Sequence, residues 1–174
     1  MADRVLTVRG TGNVSVKPDL IIIGMTLAAQ HRDYAKTMEN AASEIESLRA
    51  ALLSVGFEKD SLKTIDFNVD TAYESEKDAK GNWKRRFDGY RCIHKLKLEF
   101  DLDMERLNDT LTAISSSKAV PEFQINFSIK NQSAVSEQLL REAIRNASEK
   151  AAILASAAGV SLGKIQRIDY DWSE

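Results

Sequence analysis

The sequence predicts an α+β fold: a mixed, largely antiparallel sheet with long helices packed on one face, two strand-helix-strand crossover units related by an internal repeat, and an extended β-hairpin. Three observations predict it. Residues 62–101 hold two long stretches of period-two alternation around a charged turn, the pattern of an antiparallel hairpin. Two other stretches carry apolar residues at spacings of three and four and stop at Gly56 and Gly159, as amphipathic helices closed by a glycine do. These two helices lie in strand-helix-strand segments that superpose without a gap.

The elements follow in order. Residues 3–17 alternate around Gly10 and Gly12, with Leu6 and Val8 before them and Val14 and Val16 after, which reads as a hairpin or bulged strand. Gly10-Thr11-Gly12 is not a dinucleotide fingerprint, because Ser15 stands where the third glycine belongs and no helix follows. Pro18-Asp19 punctuates the chain before a strand over about Leu20–Gln30, whose apolar run predicts burial on both faces. Asp33 is placed to cap a helix striped by Met38, Ala41, Ile45, Leu48, Leu52 and Val55.

Beyond the polar turn at 58–61, Ile65, Phe67, Val69, Thr71 and Tyr73 fall on one side of a long strand, with Asp66, Asn68 and Asp70 on the other. The chain turns near Lys80-Gly81-Asn82 and returns from about Trp83 to Asp101, with Tyr90, Cys92, His94, Leu96, Leu98 and Phe100 on one face. Asp103 is placed to cap a shorter helix carrying Met104, Leu107, Leu111 and Ile114, which decays in Ser115-Ser116-Ser117 before Pro121.

Placing Gly159 on Gly56 sets Ile125 on Ile22, Ile144 on Ala41, Ala158 on Val55, Ile165 on Leu62 and Tyr170 on Phe67. The repeat relates 20–70 to 123–173, and a parallel return of each unit makes it a right-handed crossover with its helix on a sheet face. The small residues Ala143, Ala147, Ala151, Ala155 and Ala158 then predict close packing of the second helix onto the sheet. The organisation is a single domain over 1–174, with the extended hairpin at about 62–101.

Composition bounds the function. A chain of 174 residues buries roughly 70% of its unfolded surface without a covalent staple. Its 24 basic and 26 acidic side chains leave a net charge of −2, so no field gathers a phosphate backbone, and nucleic acid is not an expected partner. The single cysteine, Cys92, has no intrachain partner for a disulfide. The start MADRVLTVRG shows neither a basic and apolar leader nor a cleavage site, and the apolar run at 20–29 is far short of a membrane span. The simplest expectation is a cytoplasmic protein without a membrane span.

No constellation of catalytic residues emerges: there is no nucleophile elbow, Walker loop or zinc-protease helix. Expected catalytic, cofactor-binding and metal-ligating residues are therefore none, and no cofactor is expected. Two places merit weighing. Tyr90, Cys92 and His94 share a strand face and form a candidate cleft for a small molecule, a metal or a thiol nucleophile with His94 as its base. Side chains two apart on a strand stand side by side, and Leu96 and Leu98 share the face, so a packed core histidine is the simpler reading. Trp83, Lys84, Arg85, Arg86 and Phe87 interleave basic and aromatic residues as a candidate interaction surface, offset by Glu74, Glu76, Asp78 and Asp88. A solvated hairpin tip is the bland reading of these five residues. A neighbouring subunit is the best-fitting occupant, because a long hairpin offers unpaired edges and apolar faces.

With those residues in place the chain resembles the SIMPL-domain family. The resemblance rests on Val8, Gly10 and Gly12 followed by Pro18-Asp19, on Gly56 followed by Leu62, Thr64 and the strand around Phe67, on Gly89-Tyr90 opening an alternating strand, and on Gly159 with Leu162-Gly163-Lys164. It implies an α+β fold of duplicated character, self-association into ring-like or channel-like assemblies, a stress-associated role, and no established catalytic site. Exported members make the envelope or periplasm the alternative location, and a kinase-associated adaptor among the relatives implies a protein partner. The expectation is thus a non-enzymatic, homo-oligomeric interaction protein. The alternative is a small-molecule-binding protein or enzyme using the cleft at Tyr90, Cys92 and His94.

Overall fold

The computed structural model describes residues 5–77 and 81–171. They fall into two compact units, one of residues 18–130 and one of residues up to 17 with those from 131 onward. In the first unit, strands β1 (Leu20–His31), β2 (Leu62–Lys77), β3 (Trp83–Asp101) and β4 (Glu122–Ser128) form one sheet in the order β2-β3-β1-β4. Every pairing is antiparallel, so β1 and β2 run parallel to each other with β3 between them. Helix α1 (Tyr34–Ser54) links them, which is the crossover predicted for the first repeat unit.

Helix α2 (Met104–Ser116) follows β3 and joins α1 on the same side of the sheet. Ile21, Ile23, Met25 and Leu27 of β1, Leu96, Leu98 and Phe100 of β3, Leu48 and Leu52 of α1, and Leu107 and Ile114 of α2 share one buried cluster. Full burial of a side chain such as Leu48 or Leu98 contributes roughly 1.5–3 kcal/mol. The apolar run in β1 is fully buried on this face alone. Leu20 and Ile22 on the other face are half-buried, because both helices of this unit lie on one side.

Local chemistry sets the helix ends as the sequence predicts. The Asp33 side chain accepts the Lys36 backbone N–H, and Asp103 accepts those of Glu105 and Arg106. At the far end of α1 the Phe57 N–H reaches the Leu52 carbonyl and the Gly56 N–H that of Leu53. That closure holds Gly56 at φ 83° and turns Phe57 into the core, where it is 4% exposed.

One predicted strand face shifts. The ladder between β2 and β3 slips between Thr64 and Asp66, which makes Ile65 the extra residue of a bulge and leaves it 61% exposed. Thr64, rather than Ile65, joins the face of Phe67. The turn expected near Lys80-Gly81-Asn82 includes Lys80, which lies outside the described residues.

The second unit is built on α3 (Gln132–Ala157), capped by the Asn131 side chain. It ends at Gly159 with the same pair of closing hydrogen bonds as α1, Val160 to Ala155 and Gly159 to Ser156. The returning strand of the second repeat is not formed among the described residues: 158–171 carry no ladder, and Ile165, Ile168 and Tyr170 stand 73%, 62% and 70% exposed. A strand exists only where a neighbour takes up its N–H and C=O groups, and among the described residues no ladder to this segment is formed. The ends of the repeat and of the N-terminal stretch, at 172–173 and 3–4, lie outside the described residues.

Residues 5–17 likewise carry no ladder. They lie against α3, with the Thr11 N–H donated to Asn146 and the Lys150 ammonium to the Arg9 carbonyl. Gly10 and Gly12 approach α3 so closely that a Cβ on either would strike the helix backbone at Ala143 or Leu139. Within this unit the close packing expected of Ala143 and Ala147 is made with this glycine-bearing segment.

Candidate functional site

The hairpin predicted over about 62–101 is longer than the sheet that supports it. β1 pairs with β3 only from Asp101 back to Tyr90, whereas β2 and β3 continue as a pair to Lys77 and Trp83. The last part is a two-stranded arm. Its base is a second bulge, where the register slips between Ala72 and Tyr73 so that Ala72 faces Gly89 and Tyr73 faces Phe87. Asp88 is the extra residue, and its carboxylate accepts the Gln30 side-chain amide at 2.7 Å.

The slip matters because it changes which residues share a face. Without it Phe87 and Tyr90 point to opposite sides; with it their rings meet edge to face at 5.5 Å. Tyr90 in turn meets Tyr34, the first residue of α1, at 5.3 Å, and Phe87 meets Tyr73 at 6.1 Å. The Arg85 guanidinium lies 4.7 Å from the Tyr73 ring centre and the Lys77 ammonium 5.1 Å from that of Trp83. A continuous aromatic and cationic stripe therefore runs from the start of α1 out along the arm. Tyr34, Tyr73, Phe87 and Trp83 on it are 52%, 50%, 43% and 69% exposed.

The five residues singled out in the sequence are thereby split between two faces. Trp83, Arg85 and Phe87 belong to the stripe. Lys84 and Arg86 pair across the strand with Glu76 and Glu74, and Arg86 forms ion pairs with Glu74 at 3.1 Å and Glu76 at 3.4 Å. The acidic residues Glu74 and Glu76 thus offset basic charge on the face opposite the stripe. Tyr34 and Tyr73 were missed as members; the isolated Gly89 within an alternating strand was the available signal of the bulge that gathers them.

Tyr90, Cys92 and His94 do share a face, as alternation requires, and that face turns towards α1. Cys92 is 1% exposed and packs with Ala29, Ala41 and Val69. Burial, reinforced by the Glu44 carboxylate, raises its thiol above the ordinary value of 9.0. His94 is 8% exposed, its Nε2 lies 2.8 Å from the Thr64 hydroxyl, and Phe67 packs edge-on to its ring. Burial and the neighbouring Arg49 charge lower its pKa below 6.5. Both side chains are buried, and both shifts favour the uncharged form, whereas a cysteine acts as a nucleophile through its thiolate. Among the described residues no group of three or more His, Cys, Asp or Glu is gathered to hold a metal ion, and no helix is long and apolar enough to cross a membrane.

The chain is 24% identical over 163 residues to the 26 kDa periplasmic immunogenic protein of Brucella melitensis, covering 94% of this chain and 65% of the relative. It is 22% identical over 161 residues to the uncharacterized protein YggE of Edwardsiella ictaluri, covering 92% of this chain and 65% of that one. The chain thus spans 65% of the length of these curated relatives. Among solved structures, the B. subtilis GlnK-ATP complex aligns with a TM-score of 0.36 at 11% identity, over 63% of this chain and 84% of that one. A family profile described as SIMPL, protein of unknown function (DUF541), matches residues 6–174. With nearly its whole length inside that match, the chain belongs to the SIMPL family.

Proposed function

We propose that this domain is a non-enzymatic, self-associating interaction module of the bacterial envelope, with the hairpin arm as its contact surface. One observation carries the reading: on an arm that projects past β1, Tyr73 and Phe87 meet edge to face yet stand 50% and 43% exposed, and Trp83 beyond them is 69% exposed. Ordered aromatic rings beside arginine are what protein interfaces concentrate at their centres. Leaving them in water is unfavourable unless a partner covers them.

The periplasmic relative supports the envelope as the location, in place of the cytoplasm. The packed state of Cys92 and His94 supports a non-enzymatic role. The test is sedimentation of the wild type and of the double variant Trp83→Ala/Phe87→Ala over a wide concentration range. Both side chains are exposed, so the variant is expected to keep its circular dichroism and lose the assembly. A strict monomer for the wild type at every concentration overturns the reading.

A further inference from the structure

The sheet has two edges, and they differ in kind. β2 carries Lys63, Asp66, Asp70, Glu74, Glu76 and Lys77 together with the bulge at Ile65, which are the devices that keep an edge from pairing with another chain. β4 has only one charge, at its end, and no bulge. Its sequence, Glu-Phe-Gln-Ile-Asn-Phe-Ser over Glu122–Ser128, contains no lysine, arginine, proline or bulge, and its one charge stands at the first position. It pairs with β1 on one side, and on the other no ladder is formed among the described residues.

The same seven residues are self-complementary. Laid antiparallel on a second copy about Ile125, the strand sets Ile125 opposite Ile125, Phe123 opposite Phe127, Gln124 opposite Asn126 and Glu122 opposite Ser128. In antiparallel pairs, directly opposed side chains share a face. Phe123, Ile125 and Phe127 oppose Met25, Ile23 and Ile21 of β1 and so lie on the helix-bearing face. The two phenylalanines are each 51% exposed there. Gln124 and Asn126 lie on the other face, where their amides approach within one chain at 3.4 Å. No like charges meet anywhere in this register.

We infer that β4 is the site of a twofold contact with a second copy of the chain. The two β4 strands pair antiparallel about Ile125 and join two four-stranded sheets into one continuous sheet, with the α1 and α2 layers of both copies on the same side. The contact is isologous, so it closes on itself. The palindromic order of side chains singles out an identical strand as the occupant, because an arbitrary extended peptide does not match Phe to Phe and amide to amide. This contact rests on the self-association proposed above but uses a surface separate from the arm.

The test exploits the solvent-facing pair. Gln124 and Asn126 are exposed, so Gln124→Lys/Asn126→Lys and Gln124→Glu/Asn126→Glu are expected to fold as the wild type does. In the pairing each variant alone sets like charges opposite one another at both positions, and its contact is expected to weaken roughly tenfold or more. Mixed in equal amounts, the two variants set Lys opposite Glu at every position and are expected to form a heterodimer in sedimentation and native mass spectrometry.

Wild-type assembly that persists in both variants, or a mixture that forms no heterodimer, overturns this contact and leaves the arm reading standing. Assembly that is kept in Trp83→Ala/Phe87→Ala and lost in the two β4 variants does the reverse. A strictly monomeric wild type whose β4 amides are nonetheless protected from hydrogen exchange puts another strand of the same chain on this edge, and overturns the contact.

Discussion

Gly89 stands against His31 with no room for a side chain: a Cβ at position 89 would lie 2.8 Å from the His31 carbonyl carbon and closer still to its oxygen. Gly89 also sits at φ 119°, a backbone state that L side chains rarely adopt. The base of the arm is therefore doubly dependent on glycine. Gly89→Ala is expected to lower stability by at least ~1–3 kcal/mol from backbone strain, with the displaced His31 backbone adding to it. Gly81, at φ 82° with open space around it, is the control: Gly81→Ala carries strain without the clash. A urea titration that finds the two variants equally destabilised contradicts the close approach.

Those two bulges mark the boundary of what the sequence discloses. The stripe of α1 was readable because its causes are local: Asp33 caps it, Gly56 closes it, and Ala41, Ile45, Leu48 and Leu52 recur within one helix. The face of β3 from Cys92 to Phe100 was readable for the same reason. Ile65 was misassigned and Tyr73 left out of the surface because a bulge is a relation between two strands, absent from the alternation of either one. Thr37 was passed over because it is polar, yet it is fully buried. Its hydroxyl lies within hydrogen-bonding reach of the carbonyls of His31, Asp33 and Tyr90, which ties the start of α1 to β1 and β3. The alternation of 165–170 looked like a strand, but a ladder needs a neighbour that no local pattern can supply.

His94 gives the fold a pH dependence of defined sign. Its folded pKa is lowered by burial under α1 and by Arg49, below the unfolded value of about 6.5. As pH falls, the unfolded chain takes up this proton before the folded one does. The contribution of neutral His94 is thus fully present above about pH 6.5 and is lost as pH drops from there towards the folded pKa. Between about pH 7.5 and about pH 5 the wild type is expected to lose more stability in urea than His94→Gln does, since the exposed carboxylates titrate alike in both. Equal losses show that the imidazole titrates normally and is open to solvent.

Cys92 supplies the corresponding test of chemistry. Its thiol is 1% exposed, and burial with the Glu44 charge holds its pKa above the ordinary value, so both access and thiolate content are low in the folded chain. A disulfide reagent attacks through the thiolate, and here it reaches that species only when α1 lifts from the sheet. At mildly alkaline pH the folded protein is expected to react roughly 100-fold or more slowly than the chain unfolded in urea, with a rate that follows local opening. Reaction of the folded protein as fast as the unfolded chain, abolished in Cys92→Ala and slowed in His94→Gln, reinstates an accessible thiol activated by the histidine two residues along the strand. It would move the search for function from the arm to the face beneath α1.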